Sequence, residues 1–112
     1  MKEALERELR QLHAEILTGL ADPRRLLILY TLASGPRSAA ELAAELDFEP
    51  SSVERHIKVM GQNGLVLASL LRGEIRYQVS DDRVLEALGL LSAVLRDSLY
   101  RRAEMAGRPV LN

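Results

Sequence analysis

Cysteine is absent from this sequence of 112 residues, and its absence excludes several kinds of chemistry. Without a thiol the chain forms no disulfide, no thiolate metal site and no iron–sulfur cluster, and it carries no thiol redox sensor. Aromatic residues are scarce too, with no tryptophan, one phenylalanine and three tyrosines. Aliphatic side chains, mostly leucine and alanine, must therefore supply the core, and these residues favour helices.

Long hydrophobic runs are also missing. The first eight residues, MKEALERE, are too charged to be the apolar centre of a secretory signal. No stretch approaches the ~18 uninterrupted apolar residues that a membrane span needs. We therefore expect a cytoplasmic protein without membrane contact. The length suits one domain over residues 1–112 with a single core.

The chain has little net charge of either sign. Its formal net charge is -1, whereas proteins dedicated to nucleic-acid binding are often strongly basic because phosphate contacts provide much of their affinity. This balance counts against DNA binding. A dimer with a neutral total charge can still present a local basic face.

Apolar residues at helical spacing predict a long helix at each end of the chain, over about residues 3–20 and 82–106. Ser80, Asp81 and Asp82 supply caps and negative charge at the start of the second of these helices. The two apolar stripes offer more surface than one subunit of this size covers, which favours burial between two copies. The residues expected at this dimer interface are Leu5, Leu9, Leu12, Ile16, Leu88, Leu91, Leu95 and Leu99.

Cap and stop residues predict three shorter helices between these two. Asp22 followed by proline is typical of an N-cap and a first helical position. Ser38 with a glutamate three residues later has the spacing of a capping box. A further helix is expected to start at Ser51 or Ser52 and to end near residue 64. Two short helices with a tight connection, here over about residues 38–63, form the helix-turn-helix pattern.

Alternation of apolar and polar residues predicts a β-hairpin over about residues 65–79. In its second half Ile75, Tyr77 and Val79 alternate with polar residues, and the turn is expected at residues 72–74, which include a glycine. This hairpin is the candidate wing. The predicted order is four helices, a hairpin and a final helix, which is a mainly α fold with a small β-hairpin.

Over about residues 18–92 these motifs resemble, in the right order, the ArsR-like repressors. The resemblance implies a winged helix-turn-helix fold and a homodimer in which the first and last helices pack between subunits. Two recognition helices then face successive major grooves, with half-sites about 34 Å apart or a multiple of it. The segments that carry the resemblance are 20–29 (LADPRRLLIL), 40–46 (AELAAEL), 51–60 (SSVERHIKVM), 64–66 (GLV) and 72–79 (RGEIRYQV).

The recognition helix and the wing supply the candidates for DNA contact. Serine hydroxyls at a helix start can bind phosphate or base edges, arginine reads guanine or clamps phosphate, and lysine contacts phosphate. Cations on a wing approach the backbone or the minor groove. The candidates are Ser51, Ser52, Arg55, His56, Lys58, Arg72 and Arg76, joined by Arg24, Arg25 and Arg37 if these flank the same face.

Each candidate also has a simpler interpretation. Ser51 is a good N-cap, Arg55 and Lys58 could be solvated surface charge, and a single helical histidine such as His56 is more often a local hydrogen-bonding residue. Arg76 could form a cross-strand ion pair with a nearby acid. Glu54 stands where the family usually has a small or polar residue; its carboxylate could accept from cytosine N4, but a phosphate would repel it.

Metal sensing and catalysis have little support in the sequence. Metal-responsive relatives use cysteines on the first helix-turn-helix element, or histidines paired with acids on the final helix, where this chain has four acids and no histidine over residues 82–106. His13 is interpreted as an ordinary surface or interface histidine. There is no Gly-rich phosphate loop and no histidine with a catalytic partner at motif spacing, so we expect no enzyme and no cofactor.

The sequence therefore predicts a sequence-specific transcriptional regulator that binds double-stranded DNA as a homodimer and acts as a repressor. Its effector, if any, is left open. The alternative is a winged-helix module that binds protein, favoured by the low net charge and by Glu54. Arg55, Lys58, Arg72 and Arg76 on one continuous surface would favour DNA, whereas their neutralisation by acids would favour the alternative.

Overall fold

The computed structural model describes residues 1–107 and has six α-helices and one two-stranded antiparallel sheet in that range. This architecture confirms the predicted mainly α fold with a β-hairpin. The elements are α1 (Lys2–Leu12), a π-helical turn (His13–Leu17), α2 (Thr18–Leu20), α3 (Pro23–Leu32), α4 (Ala39–Leu46), α5 (Pro50–Gln62), β1 (Val66–Leu71), β2 (Glu74–Val79) and α6 (Arg83–Met105).

The first three elements follow one another without a break and form one N-terminal helix over residues 2–20. Its extent agrees with the predicted helix, but the π-helical turn was not predicted. At this turn the backbone N–H and the hydroxyl of Thr18 both donate to the carbonyl of His13, the hydroxyl over 2.8 Å. The wider turn shifts the helical phase, so the residues that follow it present a different face from those of α1.

Local capping sets the starts of α3 and α4 as predicted. The Asp22 carboxylate accepts from the backbone N–H groups of Arg24 and Arg25 over 2.8 and 3.3 Å, with proline at the first helical position. Ser38 and Glu41 form the complete capping box at the start of α4. These contacts satisfy N–H groups that have no partner inside the helix.

The predicted start of α5 was wrong by one or two residues. The helix begins at Pro50, and Glu49 is the N-cap without a side-chain hydrogen bond. Proline fits the first helical position because its missing N–H has no intrahelical partner there. Asp47, in the left-handed conformation at φ 56°, ends α4, so α4 and α5 are joined by a tight connection.

The core lies among α3, α4, α5 and the start of the hairpin. Each of these elements contributes side chains that are almost completely removed from solvent, and the absence of tryptophan is compensated by aliphatic packing. The buried apolar residues of these elements are Ile28, Leu29, Leu32, Leu42, Ala43, Val53, Ile57, Met60, Leu65 and Val66.

The hairpin pairs in register from Val66 opposite Val79 to Leu71 opposite Glu74. Its turn has two residues, Arg72 and Gly73, both with positive φ, which is the type I′ geometry that suits the twist of a hairpin. Glu74 was expected in the turn but belongs to β2. Arg37 forms an isolated antiparallel bridge with Tyr77, which ties the hairpin to the segment before α4.

The chain divides into two compact units, Met1–Asp82 and a second unit that begins at Arg83. The first holds the helix-turn-helix pair and the wing, and the described part of the second consists mainly of α6, whose bounds agree with the predicted final helix. A single domain over the whole chain stays a prediction. In the range 1–107 no helix combines the length and apolar character needed to cross a membrane.

Candidate nucleic-acid interface

The exposed face of α5 carries three of the predicted contact residues. Ser51, Arg55 and Lys58 are exposed, and Val53, Ile57 and Met60 on the other side of the helix are buried. Positions four and three residues apart share one face of a helix, so these side chains form a stripe about 60° wide. Gln62 is also exposed and continues the stripe four residues on. The same spacing in the sequence could have identified it.

Two other predicted contacts, Ser52 and His56, lie on the buried side of α5, and each is 6% exposed. The Ser52 hydroxyl accepts from Arg24 over 3.3 Å, and Nδ1 of His56 accepts from Arg25 over 3.3 Å. This placement favours the local hydrogen-bonding interpretation of His56. Both side chains hold α5 against α3 and leave the outer stripe to Ser51 and its neighbours.

Burial lowers the pKa of His56 below its ordinary value of 6.5, because a charged imidazole would lose its hydration. Asp22 opposes this shift, and the cations Arg25, Arg55 and Arg24 add to it. The imidazole is therefore neutral near pH 7. A neutral ring has one nitrogen free to accept, which matches the hydrogen bond from Arg25 to Nδ1.

The two wing arginines differ in their surroundings. Arg72 lies exposed at the turn of the hairpin. Arg76 is partly buried and lies 2.9 Å from the carboxylate of Glu41 and 3.7 Å from that of Glu74, and it donates to the carbonyl of Pro36 over 2.9 Å. Arg76 therefore forms ion pairs, as its simpler interpretation proposed, but the acids lie on α4 and on its own strand rather than across the hairpin.

The cations of this surface are only partly neutralised. In the described range 1–107, no acid lies within 4.0 Å of the charged groups of Arg55, Lys58 or Arg72. Arg37, in contrast, pairs with Glu45 over 3.0 Å. Of the four cations whose pairing distinguishes DNA binding from protein binding, Arg76 is paired. The other three, Arg55, Lys58 and Arg72, are available to an anionic partner.

The consecutive arginines of α3 both form hydrogen bonds to α5, although Arg24 is exposed and Arg25 is half-buried. Arg24 reaches Ser52, and its guanidinium carbon lies 5.3 Å from the centroid of the Phe48 ring. Arg25 reaches His56 and also the end of the N-terminal helix. Both arginines therefore support α5, and a DNA backbone contact by the exposed Arg24 stays a prediction.

A groove of about 250 Å³ lies between α5 and the hairpin. Glu54 and Lys58 line it from α5, and Val66 and Tyr77 from the strands. Glu54 lies four positions before Lys58, about 40° around the helix axis, so its exposed carboxylate borders the stripe on the side of Lys58. A phosphate bound near Lys58 would meet this negative charge, as the sequence indicated.

The outer part of the wing is apolar, which the sequence analysis did not predict. Leu70 and Ile75 form a cross-strand pair and are 73% and 53% exposed, and Leu71 next to the turn is 56% exposed. The burial ends near Tyr77 because the outer residues of the hairpin extend beyond the core.

The predicted dimer residues are mostly exposed in the single chain. Those on α1 and α6 that remain accessible range from 41% to 60% exposed, Ile16 is half-buried, and Leu88 is buried at 8%. Leu90 and Val94 on α6 are exposed as well. Each helix thus presents its own apolar face. The accessible predicted residues are Leu5, Leu9, Leu12, Leu91, Leu95 and Leu99.

Among residues 1–107, no three or more histidine, cysteine, aspartate or glutamate side chains lie together in a group that could hold a metal ion. His13, the lone histidine of the N-terminal helix, is exposed.

Comparison with known proteins relates this unit to bacterial regulators. A sequence model described as bacterial regulatory protein, arsR family, matches residues 22–67. The chain is 35% identical over 82 residues to the HTH-type transcriptional regulator CmtR of Mycobacterium tuberculosis, covering 73% of this chain and 70% of that protein. It is 31% identical over 81 residues to a biofilm growth-associated repressor of Agrobacterium fabrum, covering 72% and 69%.

Among solved structures, the homodimeric winged helix-turn-helix DNA-binding domain Mb0332 from Mycobacterium bovis superposes with a TM-score of 0.75 at 27% identity. The alignment covers 89% of each chain. The fold of the present chain is therefore a winged helix-turn-helix, as predicted. The family match spans α3, α4, α5 and the start of β1, which are the elements that carry the exposed stripe and its supports.

Proposed function

The chain belongs to the ArsR family of bacterial regulatory proteins, and on this premise we propose that it is a sequence-specific repressor that binds double-stranded DNA as a homodimer. The observation that carries the proposal is the exposed stripe on α5, whose cations Arg55 and Lys58 have no acid within 4.0 Å among residues 1–107. The relatives are transcriptional regulators, not enzymes. We infer the repressor role from the relative in Agrobacterium fabrum, which is a biofilm growth-associated repressor.

Each residue of the stripe has a role in this proposal. Arg55 reads guanine or clamps a phosphate, Lys58 contacts phosphate, and Gln62 has the amide that suits adenine. Ser51 lies in the first turn of α5, where the helix dipole favours a phosphate. At the wing, Arg72 contacts the DNA backbone or the minor groove.

The homodimer accounts for the exposed leucines of α1 and α6. A second copy would cover these faces and place two α5 helices on successive major grooves, with half-sites about 34 Å apart or a multiple of it. Because the partner is chromosomal DNA, we expect the protein in the cytoplasm, with residues 1–112 acting as one winged helix-turn-helix domain. We propose no cysteine metal site, and no residue pattern identifies an effector.

The proposal is tested with the purified protein and a labelled duplex from its own upstream region, titrated by fluorescence anisotropy at two salt concentrations with unrelated competitor DNA. Saturable binding that survives competitor is expected. Arg55→Ala should weaken it by roughly 10- to 100-fold, the range for losing one good base or phosphate contact. The matched control is Arg7→Ala, because Arg7 is an exposed arginine on α1, and it should bind within about twofold of the unmodified protein.

A protein-binding winged helix is the second candidate, and the pairing of Arg76 and Arg37 with acids favours it. Absence of binding at low salt would support that candidate. Equal weakening by Arg55→Ala and Arg7→Ala would mean that binding is non-specific attraction and would contradict the assignment of the stripe.

A further inference from the structure

The guanidinium of Arg25 bridges two elements that are distant in the sequence. Its Nε donates to the carbonyl of Gly19 over 2.7 Å and its Nη2 to the carbonyl of Thr18 over 3.2 Å. Its Nη1 donates to Nδ1 of His56 over 3.3 Å. One planar guanidinium on α3 therefore joins the end of the N-terminal helix to the buried face of α5.

The chemistry of the three acceptors suits an arginine. The carbonyls of Thr18 and Gly19 lie in the last turn of the helix, where carbonyls carry a partial negative charge that a cation stabilises. The Thr18 carbonyl also accepts from the N–H of Ala21 over 3.3 Å, and its second lone pair is free for Arg25. A guanidinium offers donors in several fixed directions within one plane, whereas an ammonium is a single point. The neutral His56 accepts the remaining donor. Lysine at position 25 could not satisfy all three acceptors.

A second contact ties the same two regions together. Gly19 is buried, and a Cβ placed on it would lie 2.6 Å from Cδ1 of Leu65 and 2.7 Å from Nδ2 of Asn63. Asn63 is the C-cap of α5, and Leu65 follows it. The end of the N-terminal helix thus contacts the middle of α5 through Arg25 and the segment after α5 directly.

From this geometry we propose that Arg25 is a positioning residue for DNA binding, which sets the orientation of α5 relative to the N-terminal helix. The inference rests on the proposed function and deepens it. The N-terminal helix carries part of the proposed dimer surface, so Arg25 links the dimer to the orientation of each α5. Two helices bind two half-sites together only when their spacing matches that of the DNA, and the avidity is lost when it does not.

The bridge is tested first in the free protein, without DNA. Arg25→Gln is compared with the matched control Arg24→Gln, which removes a hydrogen bond to α5 but none to the N-terminal helix. Amide hydrogen exchange measured by NMR should rise at residues 18–21 and in the first half of α5 for Arg25→Gln, and in α5 alone for Arg24→Gln. Increased exchange confined to α5 in both variants would overturn the bridge.

The imidazole of His56 gives a second readout in the same samples. Arg25→Gln removes both a neighbouring cation and the donor to Nδ1, so the pKa of His56 should rise in an NMR titration. Arg24→Gln removes a cation with a weaker effect on His56 than Arg25, so it should raise the pKa of His56 by less. An unchanged titration of His56 in a folded Arg25→Gln variant would contradict the proposed contact.

The effect on DNA binding is measured with a duplex that carries two half-sites and one that carries a single half-site. Arg25→Gln should weaken binding to the two-site duplex by about tenfold and binding to the single site far less, because it disturbs spacing and not contact. Arg55→Ala should weaken both alike, and Arg25→Lys should recover only part of the loss. Equal losses on both duplexes for Arg25→Gln overturn the positioning role. If the unmodified protein binds neither duplex specifically, the proposed function fails, while exchange and titration still decide the bridge.

Discussion

The guanidinium of Arg76 lies 2.9 Å from Oε1 of Glu41, so strand β2 of the wing is held against the first helix of the helix-turn-helix pair. The same carboxylate oxygen accepts from the backbone N–H of Ser38 over 3.1 Å. In return, the Ser38 hydroxyl accepts from the N–H of Glu41 over 3.1 Å. One acid therefore both caps α4 and binds the wing, and a DNA contact by Arg76 stays a prediction.

The double role of Glu41 predicts a specific loss of stability in acid. The backbone N–H of Ser38 lowers the pKa of Glu41 below its ordinary value of 4.5, and the Ser38 hydroxyl, Arg76 and Arg37 add to this shift. A carboxyl with a lowered folded-state pKa contributes stability above its unfolded value, and this stability is lost as the pH falls through the folded value. Glu41→Gln should therefore be less stable than the unmodified protein at neutral pH, and the difference should shrink below about pH 4.5.

The measurement is the urea midpoint as a function of pH. Glu8→Gln, at an exposed position of α1, serves as the control for removing one carboxylate. A difference between Glu41→Gln and the unmodified protein that stays constant down to pH values well below 4.5 would contradict the role of the Glu41 charge.

Replacement of Arg72 should raise the stability of the protein and lower its affinity for DNA. It adopts φ 53°, a conformation that costs most residues about 1 kcal/mol and that asparagine tolerates, especially before glycine in a type I′ turn. Arg72→Asn should therefore stabilise the protein by about 0.5–1 kcal/mol while weakening DNA binding by roughly tenfold and lowering the salt dependence by about one counterion. Thermal unfolding and anisotropy at several salt concentrations measure both effects. Arg72→Ala removes the cation but keeps a residue that disfavours positive φ, so it should weaken DNA binding without stabilising the protein. Unchanged DNA affinity in both variants would show that the wing cation does not contact DNA.

Leu95 tests the proposed dimer. It is 55% exposed in the single chain, and in the dimer Leu95→Glu would place an unpaired charge in an apolar interface, once from each subunit. We expect a folded monomer in sedimentation equilibrium, with the helical circular dichroism retained and DNA affinity strongly reduced. Arg96→Glu, at the next and also exposed position, should stay dimeric. A Leu95→Glu protein that sediments as a dimer would show that this face of α6 is not the interface.

Gly19 and Gly89 should respond in opposite directions to substitution by alanine. At Gly19 the new Cβ meets Leu65, which is fully buried, so the neighbours must repack at a cost of about 1–3 kcal/mol. At Gly89 in α6 a Cβ would meet no atom within 4 Å among residues 1–107 apart from the adjacent backbone of its own helix, and alanine should stabilise the helix by up to about 1 kcal/mol. The free energy of unfolding from urea titrations separates the two. Stabilisation by Gly19→Ala would show that the N-terminal helix does not pack closely on the segment after α5.

Local chemistry made much of the fold predictable. The N-cap at Asp22, the capping box at Ser38 and the stop at Gly64 depend on residues only a few positions apart, so their spacing in the sequence was sufficient. The start of α5 was missed because a serine competes with Pro50 as a start signal when only local propensity is considered. The apolar residues of α5 also marked its buried face, and the same periodicity would have added Gln62 to the exposed stripe.

Partners far apart in the sequence decided the rest. Ser52 and His56 stand at the edge of the apolar face of α5, where periodicity alone does not determine burial, and Arg24 and Arg25 turn both into interior contacts from 28 and 31 residues away. Likewise, Arg76 pairs with an acid on α4 that no motif connects to the wing.

The sequence by itself thus determined the family resemblance, the order of elements, their caps and the absence of thiol chemistry, because each of these depends on residue identity and short spacing. Only the tertiary structure decided which arginines form hydrogen bonds and ion pairs with other elements of the protein, as Arg24, Arg25, Arg37 and Arg76 do. A charged side chain is long enough to reach several elements, and its partner is set by how those elements pack.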